Sequence, residues 1–302
     1  IFILLNRNYS NEETILTLTI LITSASRVYP AFTRLIAALQ TIKFNKPALE
    51  KIFEELVQNK KSTNYTNRIN EDETIKEPIE RLRIMNFNYA YGKKEFILKN
   101  INLEFKKNHI YGIVGESGSG KTTILNFICG LLSVKDCEIF LNEKKSDHKE
   151  FIQKIGYVPQ HVFLLDDTIK KNIAIGIKDE DIDNNKIDNI LRDLKLNNFL
   201  SNEKIEIEDS TVYLGDSGNK VSGGQRQRIG IARALYFNPE ILIFDETTSA
   251  LDIDNEKKII EIIKKNKNNK ITIIVSHNEN MTNICDELLE IKDKTIQIKN
   301  RN

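Results

Sequence analysis

From Gly115 to Thr122 the chain reads Gly-Glu-Ser-Gly-Ser-Gly-Lys-Thr. An apolar run, His109 to Val114, precedes it, and the helix-like Thr122-Thr-Ile-Leu-Asn-Phe-Ile-Cys-Gly-Leu-Leu132 follows. The spacing is G-x-x-x-x-G-K-[ST] in its required strand-to-helix context. Glycines let backbone N–H groups turn inward around phosphate oxygens without Cβ clashes, and the helix start adds partial positive charge at the same point. Lys121 is placed to bridge the β- and γ-phosphates of a nucleotide, and the Thr122 hydroxyl to ligate Mg²⁺.

A second chemical element is Glu240-Ile-Leu-Ile-Phe-Asp-Glu-Thr-Thr-Ser-Ala-Leu-Asp252. Ile241 to Phe244 suits a central parallel strand buried on both faces. Asp245 ends that strand and would orient Mg²⁺, directly or through water. Glu246 could position the attacking water or accept its proton. A strand-end Asp-Glu pair also serves as a helix N-cap; its pairing with the phosphate loop favours catalysis. A third element, Val221-Ser-Gly-Gly-Gln-Arg-Gln-Arg228, opens another helix with free N–H groups at its start.

Taken together, these stretches resemble the ATP-binding cassette ATPases of membrane transporters, over Arg81 to the C-terminus. The resemblance implies that Tyr91, in Phe87-Asn-Tyr-Ala-Tyr-Gly92, stacks on adenine. It implies nucleotide contacts from Gly115, Glu116, Ser117, Gly118, Ser119, Gly120, Lys121, Thr122 and Thr123. It assigns Gln160, in Tyr157-Val-Pro-Gln160, to Mg²⁺ and water, beside Thr122 and Asp245. It makes Ser222, Gly223, Gly224 and Gln225 the signature, with Val221 where the family usually has Leu. Ser249 to Asp252 resembles the loop that communicates across the dimer, and His277, in Ile274-Val-Ser-His-Asn278, the switch histidine. ATP and Mg²⁺ are the implied cofactors, and Glu246, His277 and Gln160 the implied catalytic set.

The elements that must position these residues are expected to form an α/β fold, an ABC-type P-loop nucleotide-binding domain. It would comprise a mixed sheet core, an antiparallel β-subdomain and a helical signature subdomain, after an α-helical partial transmembrane segment. Strands are expected at Leu82–Tyr89, Ile110–Val114, Lys154–Val158, Ile241–Phe244 and Ile271–Val275, and a small helical subdomain at Ile182–Leu200, where Ile187, Ile190, Leu191 and Leu194 fall at helical spacing.

Ahead of the cassette, Thr14 to Ser26 is uncharged, shorter than the about 20 residues of a spanning helix. On length alone it would suit a buried helix. Glu12 and Glu13 on one flank, and Arg27, Arg34, Lys43, Lys46 and Lys51 on the other, follow the positive-inside pattern of a helix leaving the bilayer. The expected division is 1–56 as the C-terminal part of a transmembrane domain (end of one span, external loop, last span and cytosolic extension), 57–80 as linker and 81–302 as cassette. The opening Ile1-Phe-Ile-Leu-Leu5 has neither Met nor a basic signal-peptide region, so we expect the C-terminal piece of a longer protein.

Lys+Arg number 44 against 43 Asp+Glu, which gives no charge argument for nucleic acid. Three scattered cysteines fit a reduced, cytosol-facing compartment. The fused architecture resembles exporter-type half-transporters, and the Ala25-Ser-Arg-Val-Tyr-Pro30 pattern those that flip lipid-linked oligosaccharides in bacteria. This implies a multi-pass protein of the inner membrane, cassette in the cytoplasm, moving a lipid-linked or amphipathic substrate as a homodimer or paired half-transporter. In that arrangement each Ser222-Gly-Gly caps the γ-phosphate in the partner's cradle. The rivals are a soluble clamp of DNA repair or translation, a separate importer ATPase, and a lipid, drug or peptide exporter of the same architecture. The interval from Thr122 to Ser222 lacks the coiled coil of repair ATPases, and the chain lacks the second cassette of the translation factors.

Overall fold

The computed structural model describes residues 11–66, 77–92, 96–134, 136–196, 214–215, 220–248 and 251–299. The chain divides into two units, Ile1–Ile69 and Asn70–Asn302.

Among the described residues, the first unit is one helix, α1 (Asn11–Thr66). Glu12 and Glu13 lie in its first turn, where the helix dipole favours acids. Thr17 Oγ1 donates to Glu13 O at 2.6 Å and Thr23 Oγ1 to Thr19 O at 2.7 Å, so hydroxyls in the apolar stretch are satisfied by their own helix. Leu16, Ile20, Ile22 and Phe32 each expose more than half their surface. Glu12–Val57 is long and apolar enough to cross a membrane. Pro30 and Pro47 sit inside the helix. Two expectations shift. The helix begins at Asn11, inside the expected polar connector, whose earlier residues, like Ile1–Leu5, lie outside the described ones. It also runs to Thr66, through the first part of the stretch read as linker. That part, Val-Gln-Asn-Lys-Lys-Ser-Thr-Asn-Tyr-Thr, lacks an apolar stripe and holds few strong helix formers; it continues a helix already formed through Glu54, Glu55 and Leu56, where adding a residue needs no new nucleus. Residues 67–76 of the same stretch are not described.

Among the described residues, the second unit holds two sheets. The smaller is antiparallel, in the order β2 (Leu98–Lys106), β1 (Arg81–Tyr89), β4 (Glu138–Leu141), β5 (Lys144–Ser146). The larger is mixed. β3 (His109–Gly115), β6 (Ile155–Val158), β7 (Ile241–Asp245), β8 (Ile271–Val275) and β9 (Glu287–Lys292) run parallel, and β10 (Thr295–Ile298) closes one edge antiparallel, in the order β10-β9-β3-β8-β7-β6.

The central strands read as unbroken apolar runs because both faces are covered. Alternate residues enter different cores. Ile241, Ile243, Ile271 and Ile273 join Tyr111 and Ile113 against Leu82, Phe87 and Phe105 of the smaller sheet. Leu242, Phe244 and Ile274 face the other way, onto Ile187, Ile229 and Ile259 of helices α3 (Asn184–Asp193), α4 (Gly223–Tyr236) and α5 (Ile253–Lys265). Helix α2 (Lys121–Ile128) packs Ile124, Leu125 and Phe127 into the first of these cores. Of the expected helical subdomain, α3 is seen, capped by Asp183, whose side chain accepts from Lys186 N; residues 197–200 fall outside the described ones.

Candidate functional site

The glycine loop joins β3 to α2. Gly118 and Gly120 have φ of +79° and +107°, in the left-handed region. A Cβ at Gly120 would lie 2.9 Å from Leu98, and one at Gly115 2.8 Å from Ser119 Oγ. No side chain fits at Gly115 or Gly120, and at Gly118 the positive φ, rather than space, favours glycine. Lys121 is buried, and its Nζ donates to the carbonyls of Gly115 at 2.8 Å and Glu116 at 2.9 Å. Burial lowers its pKa, while the Glu246 and Asp245 carboxylates act in the opposite direction.

Parallel pairing of β7 with β8 and β6 carries the acids to the same level. Asp245 is opposite Val275, two residues before His277, and Phe244 is opposite Val158, two before Gln160. Glu246 has φ +48°, a conformation costing a non-glycine residue about 1–3 kcal/mol. Its N–H is held by Val275 O at 2.9 Å. The carboxylate accepts from Gln160 Nε2 at 3.0 Å on one oxygen, and His277 Nε2 lies 3.8 Å from the other. Asp245 Oδ2 accepts from the Tyr157 hydroxyl at 2.8 Å. Burial holds the Asp245 carboxyl above its ordinary value, against the Tyr157 hydrogen bond and Lys121. Burial, aided by Asp245, likewise pushes the Tyr157 phenol up, so it stays a donor.

Tyr91, Ser117, Gly118, Gly120, Lys121, Thr122, Thr123, Glu246 and His277 line one cleft of about 270 Å³, with Ile97. Tyr91 follows β1, about half exposed, its ring edge-on to Tyr89 with centroids 4.9 Å apart. Gly115, Glu116 and Ser119 line a neighbouring hollow of about 720 Å³ with Phe96 and Lys292. Gln160 joins the cleft through Glu246, and Asp245 stands behind it on Tyr157. The donors present suit Mg²⁺, a hard cation held by one or two oxygen ligands together with substrate phosphates. No group of three or more His, Cys, Asp or Glu that could hold a metal unaided occurs among the described residues.

Ser222, Gly223, Gly224 and Gln225 do not line this cleft; they start α4. Ser222 Oγ accepts from Gln225 N, and Gln225 Oε1 accepts from Ser222 N at 2.6 Å, a capping box. Gly223 is open to within 3.8 Å of Leu251, whereas a Cβ on Gly224 would collide with Asn255 at 2.5 Å. Residues 249–250 of the Ser249–Asp252 loop are not described. Asp252 caps α5, accepting from Asn255 N at 2.8 Å.

Two contributors escaped the sequence reading. Tyr157 grips Asp245, and buried Gln227 donates to Pro159 O at 3.1 Å, beside Gln160. Tyr157 stood inside the quoted Tyr-Val-Pro-Gln run; Gln227 had no signal beyond its place two residues after Gln225, on α4.

A glycine loop between a central strand and a helix, with acids at the end of a neighbouring parallel strand, defines a P-loop ATPase domain of the ABC type. The ABC transporter family model matches residues 98–249, half of the chain, and the chain belongs to that family. It is 30% identical over 274 residues to a putative multidrug export ATP-binding/permease protein of Bacillus subtilis, covering 89% of this chain and 46% of the relative. It is 35% identical over 236 residues to an ATP-dependent lipid A-core flippase of Pectobacterium atrosepticum, covering 75% and 40%. Among solved structures, a bacterial Atm1-family ABC exporter with ATP bound aligns with a TM-score of 0.63 at 25% identity, over 82% of this chain and 44% of that one. The chain thus spans less than half the length of these relatives.

Proposed function

We propose that this chain is the ATP-hydrolysing part of a membrane exporter or flippase, with 1–56 the end of its transmembrane domain and 81–302 its cassette. The observation that carries the reading is the Glu246 carboxylate, held between Gln160 at 3.0 Å and His277 at 3.8 Å on the wall of the cleft that Lys121 also lines. Tyr91 would stack on the adenine. The Gly115–Thr123 backbone and Lys121 would hold the phosphates, and Glu246, with Gln160 and His277, would position water for attack on the γ-phosphate. Mg²⁺, held by Thr122, Asp245 and Gln160, would neutralise charge developing on the phosphates.

Ser222 to Gln225 lie off the cleft of their own chain, which supports their serving a second copy. Two copies, or this chain with a paired half-transporter, would pack head to tail with nucleotide between them, and loss of the γ-phosphate would release the signature. The exposed apolar surface of α1 and the relatives' names, multidrug export and lipid A-core flippase, support a bilayer setting with the cassette in the cytoplasm, the bacterial inner membrane, and a lipid-linked or amphipathic substrate. The test is ATP turnover of the protein in liposomes, screened with lipid-linked sugars, lipid A, drugs and peptides. Stimulation by one class is expected; turnover indifferent to every class would count against transport of such a substrate.

A further inference from the structure

We propose that Tyr157 is a positioning residue for the divalent cation, aiming the Asp245 carboxylate through its hydroxyl; this rests on the nucleotide reading of the site. The hydroxyl donates to Asp245 Oδ2 at 2.8 Å, which commits that oxygen and leaves the carboxylate one orientation. The placement follows from register. β6 pairs parallel with β7, Tyr157 opposite Ile243, so a side chain long enough to reach forward from Tyr157 meets the strand-end acid two residues on. A phenylalanine there would fill the same space and leave Asp245 to turn.

Asp245 needs that restraint. It is half-buried, and among the described residues no cluster of acids or histidines shares the work of holding a metal. A carboxylate that contributes one of few protein ligands must be aimed before the cation arrives, and outer partners that aim ligands are typically worth ten- to a hundredfold in metal affinity. Tyr157 also sits three residues before Gln160, whose amide holds Glu246 at 3.0 Å. The same short strand end therefore fixes both acids: Asp245 through a phenol, and Glu246 through an amide.

The test replaces Tyr157 alone. Mn²⁺ is titrated into the intact protein carrying one equivalent of a non-hydrolysable ATP analogue, with free Mn²⁺ followed by electron paramagnetic resonance. Analogue affinity in EDTA is measured alongside. Tyr157→Phe is expected to weaken Mn²⁺ binding about ten- to a hundredfold with the EDTA affinity unchanged. In an Asp245→Asn background the same substitution is expected to have no further effect. Unchanged Mn²⁺ affinity overturns the assignment. So does a parallel loss of analogue binding in EDTA, because the hydroxyl then supports the fold. If the unaltered protein binds no Mn²⁺ with the analogue, the nucleotide reading fails first and takes the assignment with it.

Discussion

The side-chain amide of Gln227 donates to the carbonyl oxygen of Pro159 at 3.1 Å, tying the signature helix to the residue before Gln160. Gln227 is buried on α4 and Gln160 hydrogen-bonds Glu246, so a chain of two contacts links Ser222's helix to the proposed catalytic acid. Gln227→Leu leaves the Pro159 carbonyl without this donor, at a cost of about 1–3 kcal/mol. We expect turnover to fall about tenfold, the equivalent of ~1.4 kcal/mol at the barrier, while ATP affinity holds. Equal loss of affinity and turnover would mean that Gln227 only stabilises the fold.

Gly230 tests the same contact further along α4. Glycine to alanine inside a helix ordinarily gains about 1 kcal/mol. Here a Cβ would stand 2.5 Å from Val162 Cγ2, so Gly230→Ala is expected to destabilise by about 1–3 kcal/mol of overpacking. Val162→Ala in the same chain makes room, and the pair should be less destabilising than the sum of the two changes. Denaturant unfolding of the three variants checks the sign and the non-additivity.

His148 gives a pH dependence. Its ring packs edge-on against Phe127 with centroids 4.7 Å apart, and burial lowers its pKa. The unfolded chain therefore takes up this proton before the folded one does. Stability falls as pH drops through the unfolded value of about 6.5. His148→Phe removes that contribution, so between pH 7.5 and 5.5 the variant should lose less stability than the parent, by at most about 1.4 kcal/mol per pH unit. Parallel melting curves across that range would count against a neutral buried His148.

The glycine loop and the strand bearing Asp245 were legible because their chemistry is local: a backbone needing positive φ shows as glycines, and a strand covered on both faces shows as Ile-Leu-Ile-Phe. Tyr157 and Gln227 were not, because their partners lie 88 and 68 residues away, and the contacts exist only once β6 pairs with β7 and α4 lies across them. β4 and β5 are only four and three residues long, too short for alternation to stand out between charges. The extension of α1 to Thr66 has neither an apolar stripe nor strong helix formers and propagates from the turn before it, which neither periodicity nor composition registers.

If nucleotide joins two copies of this chain as proposed, the cradle of one meets the signature of the other. Glu246→Gln protein carrying Ser117→Cys, mixed with Glu246→Gln protein carrying Ser222→Cys and oxidised with and without ATP, reads out that meeting. A cross-linked product of twice the chain mass should form with ATP and not without it. A product that forms equally without ATP, or none at all, would contradict the pairing.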